Sequence, residues 1–167
     1  MKRHVLLIGA FAAVAVLPGC NSDITGVGPP SDPATETFAA SLAVDIASMT
    51  KTKEGVYYKD LVVGTGATVN DSAVTINVTY AGFLKDGKLF DSGTNVAFGL
   101  NDVVPGFRIG LLGMKESGKR KIVIPSELGY GPINKKDING KITIPRQSTL
   151  IFDVEVLKVT KPTSPAT

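Results

Sequence analysis

The sequence predicts an α+β domain in which a curved antiparallel sheet wraps around one short helix, and three observations lead there. Val74, Ile76, Val78 and Tyr80 alternate with Thr75, Asn77 and Thr79, the period of a half-buried antiparallel strand. Leu150, Phe152, Val154 and Val156 repeat the pattern, with Asp153 and Glu155 on the opposite face. Asp86-Gly87 lies between Phe83-Leu84 and Leu89-Phe90, a tight-turn signal that folds one strand back on the next.

From the N-terminus, Lys2 and Arg3 precede an apolar run from Val5 to Leu17, and Leu17-Pro18-Gly19-Cys20 closes the segment. The run is too short for a membrane span and has the flanks of an export signal. The closing tetrapeptide resembles a bacterial lipobox, although Pro18 is unusual two places before the cysteine. Residues 1–19 are therefore expected to be a lipoprotein signal peptide, with Cys20 carrying the lipid. An ordinary secreted protein with a free thiol is the alternative; a lone thiol cannot form an internal disulfide. Residues 20–35, rich in Gly, Pro, Ser, Thr and Asp, read as a flexible tether.

Phe38, Leu42, Ile46 and Met49 recur at spacings of four, four and three, one apolar stripe on an amphipathic helix. Residues 36–54 are thus expected to be that helix and a connector. The stripe either packs on its own domain or dimerises, and a monomer is the favoured state. Lys121–Ile124 gives a further strand. Pro105–Leu112 makes the short helix, with proline at its first position and Gly113 closing it. Its two internal glycines are poor helix formers, so packing must hold it. Residues 126–147, rich in Gly, Pro and Lys, read as a functional flap, and 160–167 as a disordered tail.

Composition then removes whole classes of chemistry. His4 is the only histidine and Cys20 the only cysteine; processing is expected to remove the first and acylation to block the second. The mature chain cannot build a Ser-His-Asp or Cys-His site, nor a histidine-ligated zinc site. The net charge of +3 includes Lys2 and Arg3, so it is no argument for nucleic acid. Gly64-Thr65-Gly66 lacks the third glycine and the following helix of a phosphate loop. Ser48-Met49-Thr50-Lys51 matches S-x-x-K without its companion motifs. Lys119-Arg120-Lys121 reads as a solvated face. Asp71, Asp86, Asp91 and Asp102 sit at turn-like positions without metal spacing.

An ordered series of short motifs remains. Val78-Thr79-Tyr80-Ala81-Gly82 is followed by Asp86-Gly87-Lys88-Leu89-Phe90-Asp91-Ser92, then Phe98-Gly99-Leu100 and Val103-Val104-Pro105-Gly106-Phe107. Gly113-Met114, Ile124-Pro125 and Leu128-Gly129-Tyr130-Gly131 come next. Ile144-Pro145, Thr149-Leu150 and Phe152-Asp153-Val154-Glu155 close the run. In this order they resemble the FKBP-type peptidyl-prolyl cis-trans isomerases over residues 55–159. The resemblance implies that fold and an isomerase of X–Pro bonds with no cofactor. It implies a pocket of Phe90, Val96, Phe98, Val103, Val104, Phe107, Ile144 and Phe152, with Tyr80, Asp91 and Tyr130 as the catalytic polar groups. Phe107 would be the floor under the proline ring, and the Val104 N–H and Tyr130 hydroxyl would hold substrate carbonyls.

Three departures stand out. Phe107 occupies a position where the family usually has tryptophan, so affinity for macrolide inhibitors is expected to fall. Val96 replaces a common aromatic, and Arg146-Gln147-Ser148 replaces a commoner P-x-A rim. The expected partners are proline-containing unfolded or exported polypeptides and, through the lipid, a membrane. The expected location is extracytoplasmic, with the outer membrane favoured because Asn21 lacks the aspartate of inner-membrane retention. A non-catalytic chaperone or surface interaction module on the same fold is the alternative function.

Overall fold

The computed structural model describes residues 28–70 and 75–160. The expected signal peptide, Cys20, Val74 and residues 161–167 lie outside that range. Six strands form one antiparallel sheet: β1 (Thr50–Lys51), β2 (Tyr57–Val62), β3 (Thr75–Leu84), β4 (Leu89–Gly99), β5 (Lys119–Ile124) and β8 (Leu150–Thr160). Their order is β1-β2-β5-β8-β3-β4. The helix α1 (Pro105–Leu111) packs on one face, and β6 (Lys135–Lys136) with β7 (Ile142–Ile144) makes a separate small ribbon.

The predicted alternation places the main core. Ile76 and Val78 from β3, Ile122 and Ile124 from β5, and Leu150, Phe152, Val154 and Val156 from β8 pack with Phe107 and Leu111 of α1. Asp86-Gly87 forms the expected turn, with Gly87 at φ +89° and its N–H donating to the Leu84 carbonyl. The register between β3 and β4 shifts between Val78 and Tyr80, where Asn95 adopts φ +54°. A bulge of this kind twists the strand and re-aims the side chain beside it, here Tyr80.

Helix α1 is held by contact, as its glycines require. A Cβ on Gly106 would stand 2.2 Å from the Ile124 Cγ2, and one on Gly110 would stand 2.5 Å from the Ile122 Cγ2. Only glycine lets the helix backbone settle this closely onto β5. Its C-terminal end is fastened by Arg120, whose Nη1 donates to the Gly110 and Leu112 carbonyls at 2.8 and 3.0 Å. Nε and Nη2 of the same guanidinium grip Asp60, and the Tyr58 ring lies 4.2 Å away. Arg120 and Lys121, expected on a solvated face, are instead buried against the carboxylates of Asp60 and Asp153. A short basic run gives no hint of partners that lie far away in sequence.

The expected N-terminal helix is absent. Residues 36–50 form two 3-10 turns, Ala40–Leu42 and Ile46–Ser48, separated by Ala43 in the left-handed region at φ +47°. A lone three-turn helix is marginal in water, and here the sheet offers more. Leu42, Tyr57, Val123 and Ile151 form a second core, against which Phe38, Val44, Ile46 and Met49 pack. The apolar stripe was real, but it reaches the sheet from an irregular strap. The Ala39 N–H also donates to the Lys85 carbonyl at 2.8 Å, tying the strap to the end of β3. β5 and β8 are therefore covered on both faces.

The expected tether also ends earlier than composition suggested. Pro33 is buried, the Asp32 carboxylate caps the Ala34 N–H at 3.0 Å, and Ser31 bonds Ser126. At the other end, β8 continues to Thr160. The Gly110→Ala variant should lose about 1–3 kcal/mol of stability through overpacking on Ile122, measured as a lower urea midpoint at an unchanged slope.

Candidate functional site

Aromatic side chains build the site from the inside out. Phe107 is 4% exposed and its ring centroid lies 4.7 Å from Phe152, 5.9 Å from Phe98 and 6.2 Å from Tyr80. Phe90 meets Phe152 edge-on at 5.6 Å. Gly82 makes room for that pair, since a Cβ there would lie 2.7 Å from the Phe90 ring and 2.8 Å from the Phe152 ring. Offset and edge-on packing of this kind holds each ring in place.

A cavity of about 250 Å³ opens above this floor, lined by Tyr80, Asp91, Phe98, Asp102, Val103, Val104, Phe107, Tyr130 and Phe152. Eight of those nine were expected from sequence. Phe90 and Ile144, also expected in the pocket, do not line the cavity: Phe90 packs edge-on against Phe152 and Ile144 is buried in the main core. Val96 departs from expectation: it is 37% exposed and does not line the cavity. The bulge at Asn95 intervenes between Val96 and the Tyr80–Gly93 pair. Asp102, read only as a turn residue, both accepts the Gly99 N–H at 3.2 Å and lines the cavity. Its place directly before Val103-Val104 was the available signal.

Polar groups gather at one end. The Tyr80 hydroxyl donates to Asp91 Oδ2 at 2.8 Å, and Asp91 Oδ1 accepts the Ser92 N–H at 2.9 Å. Burial, and then the hydrogen bond to Asp91, push the Tyr80 hydroxyl up to about 12. Burial, followed by the nearby negative charge of Asp91, raises Tyr130 as well. Both hydroxyls therefore keep their protons at neutral pH and remain hydrogen-bond donors. Val104 precedes α1 with extended backbone at ψ 145°, and its carbonyl accepts from Phe107 and Arg108. Among the described residues no acceptor takes the Val104 N–H. Lys135 lies over the Tyr130 ring at 4.8 Å.

The site thus offers an apolar floor, an unengaged backbone donor and two neutral phenols, with the carboxylates of Asp91 and Asp102 in its lining. It can grip an apolar ring together with flanking carbonyls.

A family model described as FKBP-type peptidyl-prolyl cis-trans isomerase matches residues 66–157. The FKBP-type peptidyl-prolyl cis-trans isomerase FkpA of Escherichia coli is 42% identical over 128 residues, covering 74% of this chain and 43% of that protein. The FK506-binding protein of Neisseria meningitidis serogroup B is 39% identical over 63% of this chain and 96% of its own length. The crystal structure of AtFKBP13 superposes with a TM-score of 0.61 at 30% identity, covering 68% of this chain and 99% of that one. The chain spans less than half the length of FkpA.

The Tyr80 phenol, raised in the folded chain, couples stability to pH. An unfolded tyrosine ionises near 10, so folding favours the protonated phenol. That contribution is complete below about pH 10 and is lost as pH rises towards about 12. Denaturant titrations across that range should show falling stability, with a smaller fall in Tyr80→Phe; an identical fall in both would contradict the assignment.

Proposed function

The chain belongs to the FKBP-type peptidyl-prolyl cis-trans isomerases, and from that membership we propose that it accelerates rotation about X–Pro bonds in exported polypeptides. The observation that carries this reading is the aromatic-floored cavity with Tyr80, Asp91 and Tyr130 at its polar end. Rotation about an X–Pro bond is slow because amide resonance must be lost, at a cost of ~18–20 kcal/mol. The twisted amide carries a less polar carbonyl than the planar one. An apolar, water-poor pocket therefore disfavours the ground state more than the transition state. Lowering the barrier by ~5–7 kcal/mol gives on the order of 10⁴–10⁵-fold acceleration.

In this mechanism the proline ring rests on Phe107, between Phe98 and Phe152. The Val104 N–H and the Tyr130 hydroxyl donate to carbonyls flanking the bond, which fixes the chain on both sides while the amide turns. Asp91 holds Tyr80 in position and offers the polar end of the pocket to the rotating group. No nucleophile or general acid is required, which suits a chain whose only histidine and cysteine lie within its first twenty residues. Clients with an apolar residue before proline suit the apolar mouth. A binding module without turnover is the second reading, favoured by Phe107 standing in the family's tryptophan position, and the same substitution would weaken macrolide binding.

The leader and its Cys20 support export followed by lipid attachment, placing the domain outside the cytoplasm on a tether, with the outer membrane as the favoured site. Isomerisation of an Ala-Leu-Pro-Phe-type peptide should be well above background with the full chain. Tyr130→Phe combined with Asp91→Leu should lower it on the order of tenfold or more, equivalent to at least ~1.4 kcal/mol of transition-state stabilisation. A folded but inactive wild-type chain would transfer the assignment to the binding module. Cys20→Ser should move the protein from the membrane fraction to the soluble fraction; retention, with no acyl mass on the wild type, would refute lipidation.

A further inference from the structure

The Tyr130 ring packs against the main core, but the arm that follows it buries little of its own. Residues 132–142 beyond it are all exposed, and Gly131 next to it has φ +54°. The backbone around Tyr130 is fixed through Gly131, whose N–H donates to the Ser126 carbonyl at 2.8 Å and whose carbonyl accepts the Gln147 N–H at 2.7 Å. Ser126 and Gln147 are therefore the backbone supports of Gly131, beside the packing of the Tyr130 ring on the core.

Both supports are tied to the same distant segment. The Ser126 N–H donates to Ser31 Oγ at 2.7 Å, and the Ser31 N–H donates to Ser126 Oγ at 2.9 Å, a reciprocal pair 95 residues apart. Ser126 Oγ in turn donates to Gln147 Oε1 at 2.9 Å, and Gln147 Nε2 donates to the Gly28 carbonyl at 3.2 Å. Ser126 is fully buried, and Pro33 is buried just beyond Ser31. The circuit runs from the N-terminal segment through Ser126, Gly131 and Gln147 and back to that segment. Gly28 and Ser31 precede the residues matched by the family model, whereas Ser126, Gly131 and Gln147 fall within them, so the N-terminal half of this circuit lies outside the domain that defines the family.

We propose that Gly28–Pro33 is a latch that sets the position of Tyr130 over the pocket, with Ser31 and Gln147 as positioning residues. The catalytic half of this inference rests on the isomerase reading. Withdrawing the latch leaves a buried Ser126 N–H without its acceptor, and a buried donor in that state drives the backbone to rearrange. Gly131 would move with it, and the Tyr130 hydroxyl would lose its alignment while the aromatic floor stayed intact.

The test uses the full chain with Ser31→Ala, Ser31→Thr as the conservative variant that keeps the acceptor, and each change repeated in a Tyr130→Phe background. Amide hydrogen exchange at Gly131 and Gln147 reads the latch without any activity. Ser31→Ala should speed exchange at both amides and lower kcat/KM about 3- to 10-fold, and Ser31→Thr should restore both. In the Tyr130→Phe background Ser31→Ala should have no further effect on kcat/KM, because the latch acts through that hydroxyl. Unchanged exchange in Ser31→Ala overturns the latch itself. Faster exchange with unchanged kcat/KM, or an equal loss in the Tyr130→Phe background, overturns the positioning of Tyr130. An inactive wild-type chain overturns the isomerase reading and the catalytic role of the latch together, and the exchange arm separates that result from failure of the latch.

Discussion

The contact on which the site depends is the seating of α1 against β5. Seven residues with two glycines cannot sustain a helix by propensity, yet this helix supplies Phe107 and begins just after Val104. The two glycines that weaken it locally allow the approach that holds it, because Gly106 and Gly110 face Ile124 and Ile122. Arg120 then joins the carbonyls at the helix end to Asp60 on β2. A buried guanidinium is tolerated because its charge meets a carboxylate in bidentate geometry and its other N–H groups meet carbonyls. Sheet, helix end and cavity floor are thereby fixed to one another, and the distance from Phe107 to Val104 follows without any dedicated catalytic loop.

The chemistry follows from the same economy of parts. Phe107 and Phe152 belong at once to the hydrophobic core and to the lining of the cavity. A wall made of core is rigid, and a rigid apolar wall can discriminate a twisted amide from a planar one without moving. The two phenols at the polar end, raised above their ordinary value, keep their protons near neutral pH. Such a site offers shape and donors held in place, in keeping with a chain whose one histidine and one cysteine both lie within its first twenty residues.

Sequence reading succeeded where local pattern and tertiary role coincide. Alternation in β3 and β8 reports burial on one face, Asp86-Gly87 reports a turn that only a few residues adopt, and Pro105 with Gly113 brackets α1 because each has a backbone preference of its own. Pocket residues such as Tyr80, Asp91 and Tyr130 came from the motif series and not from any periodicity. Reading failed where a distant partner decides. Phe38, Leu42, Ile46 and Met49 have helical spacing, but the sheet face under Val123 and Ile151 favours an irregular path through Ala43. Arg120 looked like a solvated base because Asp60 and the end of α1 are remote in sequence. Val96 fell outside the cavity because the bulge at Asn95 has no sequence signature beyond an asparagine that tolerates positive φ.

The second core has a consequence for what counts as one folding unit. Val123 and Ile151 are fully buried in a cluster to which the N-terminal strap contributes Leu42, Phe38, Ile46 and Met49. The segment recognised as the family domain begins at residue 66, after the whole of that cover. The inherited module and the cooperative unit therefore have different borders: one is defined by shared motifs, the other by which surfaces must be dry at the same time. During synthesis the cover emerges first and waits for β5 and β8, and the outer face of the sheet closes only when the last strand arrives.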